Sequence, residues 1–131
     1  MIFLDSNVPM YLVGADHPNK VRAQALLQAA VVRGDRLVTD VEVLQEIMHR
    51  YSAIRRLDAV QPAFDVVLGI VDEVFPVDSA DVHAAKDVLL GPAPFTARDA
   101  LHIAVLERRG VSRLISFDAD FDRRPGLERL S

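Results

Sequence analysis

Aspartates stand where short apolar runs stop. The run at residues 2–4 ends at Asp5, that at 36–39 at Asp40, that at 75–77 at Asp78, and that at 113–116 just ahead of Asp118. Four such positions exceed what composition alone would place there. Gathered in one cleft, carboxylates make a hard oxygen site suited to Mg²⁺ or Mn²⁺. An ion so held reverses the local charge and lets a phosphate approach. Asp5 is the hardest to explain otherwise, because an unpaired carboxylate at the end of a buried strand is costly unless something binds it.

The other acids have simpler readings. Asp40 and Asp78 fall where helices should begin, and helix capping accounts for both. Asp99 lies three residues after Thr96, a near-match to a capping box, so spacing leaves it open between cap and ligand. Glu46 precedes Arg50 by four residues, the spacing of a solvated ion pair on a helix face. His17, His49, His83 and His102 are scattered without zinc-ligand spacing. His102 reads best as a partly buried core residue. There is no cysteine, which excludes a thiol nucleophile, a disulfide framework and a cysteine zinc site. No Gly-x-Ser-x-Gly elbow or phosphate-cradling glycine loop occurs. The pairs Arg55-Arg56, Arg108-Arg109 and Arg123-Arg124 punctuate helix ends, where solvated faces are the default.

The elements that must position these residues alternate. Short strands are expected at 2–4, 36–39, 75–77, 113–116 and 127–130. Between them, helices are expected at 8–13, from His17-Pro18 to the stop at Gly34, and from a cap at Thr39 or Asp40 with Val41, Leu44, Met48 and Tyr51 on its apolar face. Further helices are expected at 63–74, at 80–90 capped by Ser79, and from Thr96 through Arg109 to Gly110. That alternation predicts an α/β fold with a central parallel sheet of four to five strands and helices on both faces. Ligands of such sheets bind beyond the carboxyl ends of the strands, which is where the aspartates lie.

At 131 residues, half of them apolar, the chain is the size of a single domain, 1–131, with a self-sufficient core. The lack of cysteine, of a basic leader and of any apolar run approaching the roughly 18 residues of a membrane span points to a cytoplasmic protein without membrane contact. A net charge of −4 speaks against nucleic-acid binding unless bound cations offset the acids.

Four segments in order resemble the PIN-domain family. IFLDSNVPMYL looks like its opening strand and turn, and LVTDVEVLQEIMHRY like its second segment, with the glutamate at Glu46. FTARDALHIAVLERRG is similar to the third, placing an acid at Asp99, and RLISFDADFDR to the fourth, placing one at Asp118. The resemblance implies a Mg²⁺- or Mn²⁺-dependent endoribonuclease with one or two ions per site. Its ligands would be Asp5, Glu46, Asp99 and Asp118, with Asp120 a weaker substitute for Asp118. Asn7 and Ser116 would orient them by hydrogen bonds. A metal-activated water would attack an RNA phosphodiester.

Small single-domain members are mostly VapC toxins. The resemblance therefore also implies a VapB-type antitoxin partner, whose arginine would reach the carboxylates, a structured RNA substrate such as tRNA or rRNA, and a homodimer. The apolar surfaces at 8–13 and 26–31 are candidate partner grooves, although helix packing accounts for most of them. A haloacid-dehalogenase phosphatase would need a second aspartate where Asn7 stands. The remaining alternatives are a PIN nuclease of RNA maturation and a non-catalytic PIN binding module.

Overall fold

The first buried strand, β1 (Ile2–Leu4), is the middle of the sheet. In a computed structural model describing all 131 residues, the chain continues through α1 (Asn7–Val13), α2 (Pro18–Arg33), β2 (Leu37–Asp40), α3 (Val41–Ala53), α4 (Val60–Ile70), β3 (Glu73–Phe75), α5 (Ser79–Leu89), α6 (Ala97–Arg108), β4 (Arg113–Ile115) and β5 (Glu128–Leu130). The strand order is β3-β2-β1-β4-β5 and every pairing is parallel. The chain winds outward from β1 through β2 to β3, then returns to the other side for β4. The switch point therefore lies between β1 and β4, where a crevice opens beyond the strand ends.

Side chains alternate across the sheet, as strand geometry requires. Phe3, Val38 and Leu114 enter an 18-residue core with α3 to α6. Ile2, Leu4, Leu37 and Ile115 enter a smaller core with Val8 of α1 and Ala23, Leu27 and Ala30 of α2. The apolar stretches at 8–13 and 26–31 are thus largely helix-packing surface, although Val31 itself is exposed.

Several boundaries differ from the sequence expectations. The inward stripe of α3 is Val43, Ile47 and Tyr51, while Val41 and Met48 are exposed. Asp40 caps the helix, accepting Val43 N–H at 2.9 Å. The helix expected at 63–74 is α4, which starts at Val60 after a 3-10 turn and stops at Ile70. The strand after it pairs two residues earlier than expected, because Val38, Thr39 and Asp40 recruit Glu73, Val74 and Phe75.

Asp78, not Ser79, caps α5, in a reciprocal box with Asp81, each side chain accepting the other's N–H at 2.9 Å. Arg108 and Arg109 are not merely solvated: both bind the fully buried Asp81. Arg109 also donates to Pro76 O at 2.8 Å and lies 5.2 Å from the Phe75 ring. α6 is thereby fastened to the start of α5.

Candidate active site

Asp5 leaves β1 at the switch point and is almost fully buried. Its Oδ1 accepts Ser6 N–H at 2.8 Å, and its Oδ2 accepts Ser116 Oγ–H at 2.6 Å and an Asn7 Nδ2 hydrogen at 3.3 Å. Ser116, just beyond β4, also accepts Asp118 N–H at 3.0 Å, and Asn7 Oδ1 accepts Phe117 N–H at 3.3 Å. The two central strand ends are therefore laced together. Asn7 and Ser116 thus both hydrogen-bond the Asp5 carboxylate.

Glu46 arrives from α3. Its Oε1 accepts Ser6 Oγ–H at 2.6 Å, and its Oε2 faces His102 Nε2 at 3.4 Å. The nearest arginine is Arg98, at 3.7 Å, so the expected pairing with Arg50 does not form. Asp99 stands in the first turn of α6, whose start is set by Thr96 Oγ1 accepting Asp99 N–H at 3.1 Å. Only that half of the expected capping box forms. Asp118 caps a 3-10 turn, accepting Asp120 N–H at 2.9 Å. Carboxylate oxygens of Asp99, Asp118 and Asp120 lie within 4.8 Å of one another, as do ligand atoms of Asp5, Glu46 and His102. Asp120 is also tied to Arg123 at 3.1 Å.

Asp5, Glu46, Asp99 and Asp118 all line one open cleft of about 620 Å³, which continues past Tyr11, His49, Arg50 and Arg98. Asp78 lies elsewhere, exposed at the start of α5. Asp40 is a cap, as the spacing indicated, but it is also fully buried against His102, whose Nδ1 is 2.8 Å from Asp40 Oδ2. His102 is therefore not a partly buried core residue but a buried link between Asp40 and Glu46. Ser6, Arg98 and this pair were not singled out from sequence. Only the i, i+3 relation of Asp99 to His102, which puts both on one helix face, could have flagged the histidine.

Electrostatics mark the same place. Burial, then the charges of Asp118 and Asp5, push the Asp99 carboxyl up to about 6. Burial also raises Asp5, against relief from His102 and Ser116. For Glu46, burial is outweighed by His102 and Ser6, and its carboxyl sits below the ordinary range. His102 is likewise buried against protonation, yet the charge and hydrogen bond of Asp40, with Glu46, hold it well above the usual histidine value.

Asp35, Asp58, Asp81 and Asp122 each have an arginine partner, whereas Asp5, Asp99 and Asp118 form no salt bridge. Crowded carboxylates with no lysine or arginine partner are a donor set suited to a divalent ion. With Asp99 as a ligand, an ion would need it ionised, so affinity should fall as pH drops through 6, by up to about tenfold per unit for one proton. Calorimetric Mn²⁺ titrations at pH 7, 6 and 5 check this; equal affinities would oppose it. The sign for metal-free stability matches. A carboxyl raised to about 6 contributes most below pH 4, and that contribution is lost as pH rises through 6.

This parallel fold with a carboxylate cleft at its switch point is that of a nuclease class, and the PIN domain model matches residues 2–127. The chain belongs to the PIN-domain family. It is 58% identical to Ribonuclease VapC13 of Mycobacterium tuberculosis over 131 residues, the whole of both chains, and is an enzyme of that ribonuclease type. Among solved structures, VapC20 of Mycobacterium tuberculosis, a Sarcin-Ricin loop cleaving toxin, superposes with a TM-score of 0.75 at 22% identity, covering 93% of each chain. VapBC2 from Rickettsia felis, bound to a DNA fragment of its promoter, gives 0.74 at 16% identity over the full length of both chains. No helix is long and apolar enough to cross a membrane.

Proposed function

We propose that the chain is the toxin of a VapBC pair and cuts structured RNA, such as tRNA or rRNA, with Mg²⁺ or Mn²⁺ held by Asp5, Glu46, Asp99 and Asp118. The observation that carries the metal reading is the convergence of these four carboxylates on one cleft, three of them without a salt bridge. A divalent ion supplies an acidified water and charge stabilisation at a phosphodiester. Each residue has its own task. Asp5, fixed by Ser6, Asn7 and Ser116, is the rigid donor. Asp99 and Asp118, whose carboxylate oxygens lie within 4.8 Å of each other, add charge, and Asp120 is a substitute for Asp118. Glu46 completes the donor set or orients the attacking water.

The cleft is open and also lined by His49 and Arg50, which suits an RNA loop splayed out of its helix. An antitoxin arginine would fit the same carboxylates, as arginine pairs bidentately with them. The relatives support this partner: one solved neighbour is a VapBC complex. The same reading makes the toxin a cytoplasmic homodimer, for which sedimentation of the purified chain is the test.

The deciding experiment incubates total tRNA and rRNA with purified protein and Mn²⁺, beside EDTA and Asp99→Asn arms. Cleavage in the first arm alone is expected. Intact RNA in all three, with Mn²⁺ bound and no antitoxin co-purified, would leave a non-catalytic binding module instead.

A further inference from the structure

His102 has no role in the scheme above, yet its surroundings are those of a working part. Its ring is fully buried, 5.5 Å from the Phe3 ring. A core histidine needs one acceptor and apolar neighbours. Here Nδ1 meets Asp40 Oδ2 at 2.8 Å, and Nε2 turns to Glu46 Oε2 at 3.4 Å. Asp40 is itself immobilised, since its other oxygen accepts Val43 N–H at the start of α3. Glu46 stands on that same helix, and its second oxygen accepts from Ser6, next to Asp5. The glutamate is thus gripped at both oxygens, from α6 and from the end of β1.

We infer that Asp40 and His102 are a positioning pair for Glu46, holding its carboxylate toward Asp5 before an ion arrives, with His102 not a ligand. The inference rests on the reading that Glu46 helps hold the metal. Carboxylates accept and do not donate, so the Asp40 contact fixes the hydrogen on Nδ1 and the orientation of the ring. The ring is wholly enclosed, whereas Glu46 keeps part of its side chain open to the cleft. Mg²⁺ and Mn²⁺ also favour oxygen over imidazole nitrogen. The device is the outer-shell support usual around metal ligands, with histidine supporting a carboxylate in place of the reverse.

The test compares wild type, His102→Gln, Asp40→Asn, Glu46→Gln and the double variant His102→Gln/Glu46→Gln. It measures Mn²⁺ affinity by calorimetry, and RNA-cleavage kcat and KM at saturating Mn²⁺. Loss of an outer-shell partner costs roughly 10–100-fold in metal affinity or activity. His102→Gln should weaken Mn²⁺ binding by that factor and leave the KM for RNA unchanged. The loss should vanish in the Glu46→Gln background, because the histidine acts through the glutamate. Additive losses, or wild-type affinity in a folded His102→Gln, would overturn the inference.

Should His102→Gln fail to fold, Asp40→Asn keeps the cap on Val43 and alters only the contact to the ring. It should weaken Mn²⁺ binding in the same way, and unchanged affinity would count against the pair. Pulsed EPR of Mn²⁺ on the unmutated protein needs no variant, and a coordinated imidazole nitrogen there would make His102 a ligand and end the proposal. If Glu46→Gln weakens binding while His102→Gln does not, only the positioning role fails. If the wild type binds no Mn²⁺, the metal reading fails and takes this inference with it.

Discussion

Asp5→Asn should leave a folded protein whose RNA cleavage is lower by on the order of 10³-fold or more, since a metal ion supplies several kcal/mol of charge stabilisation and each 1.4 kcal/mol is tenfold in rate. Three donors surround the aspartate; the asparagine can keep Ser6 N–H on its carbonyl and donate its amide to Ser116 Oγ, losing only the long bond from Asn7 Nδ2. Asn7 Nδ2 keeps Ser116 Oγ at 3.4 Å, so the fold should survive. Indeed, burial raises the Asp5 carboxyl, so its ionised form costs stability at neutral pH without metal. Melted in EDTA at pH 7.5, the variant should be no less stable than wild type. Millimolar Mn²⁺ should raise the wild-type Tm, by preferential binding to the native state, and leave the variant unmoved. Equal Mn²⁺ shifts in both proteins would remove Asp5 from the metal site.

Asp81→Ala should produce the other large effect, on stability alone. Asp81 is fully buried, caps α5 together with Asp78, and binds Arg108 and Arg109. Breaking a buried ion pair from one side costs about 3–5 kcal/mol, and losing a cap about 1 more. Arg109 keeps 21% of its side chain exposed and Arg108 39%, so both recover some hydration and about 3 kcal/mol is expected. In a chain of this length that lowers Tm by roughly 10 °C. Burial disfavours the Asp81 anion, but the two arginines and the Asp78 N–H hold its carboxyl well below the ordinary range. Its contribution is thus present above pH 4 and lost as pH falls below it. A melt within 1 °C of wild type would mean that α5 is held to α6 by apolar packing alone.

The net charge of −4 is compatible with an RNA enzyme because of where the acids are. Many of the carboxylates are matched by arginines, and three that are not, Asp5, Asp99 and Asp118, line the cleft, where a divalent ion would reverse the local sign. The same cleft is also lined by His49, Arg50 and Arg98.

What the linear sequence by itself determined is local. Strand β1, the helix limits at Pro18 and Gly34, the cap at Thr96 and the halt of each apolar run at an aspartate follow from side-chain periodicity and backbone capping, which act over a few residues. The ordered segments around Asp5, Glu46, Asp99 and Asp118 carried the family, and the cleft brings those four together. The tertiary structure decided what depends on contacts between distant segments. Asp40 lies 62 residues from His102, and Ser6 lies 40 from Glu46. No spacing rule links residues so far apart, so Asp40 was legible as a cap and not as the histidine's partner. The inward face of α3 was half legible for the same reason: Leu44 and Tyr51 do face the core, Val41 and Met48 do not. Val41, Leu44, Met48 and Tyr51 satisfy a helical period as well as Val43, Ile47 and Tyr51 do, and only packing against the core chose Val43 and Ile47 over Val41 and Met48.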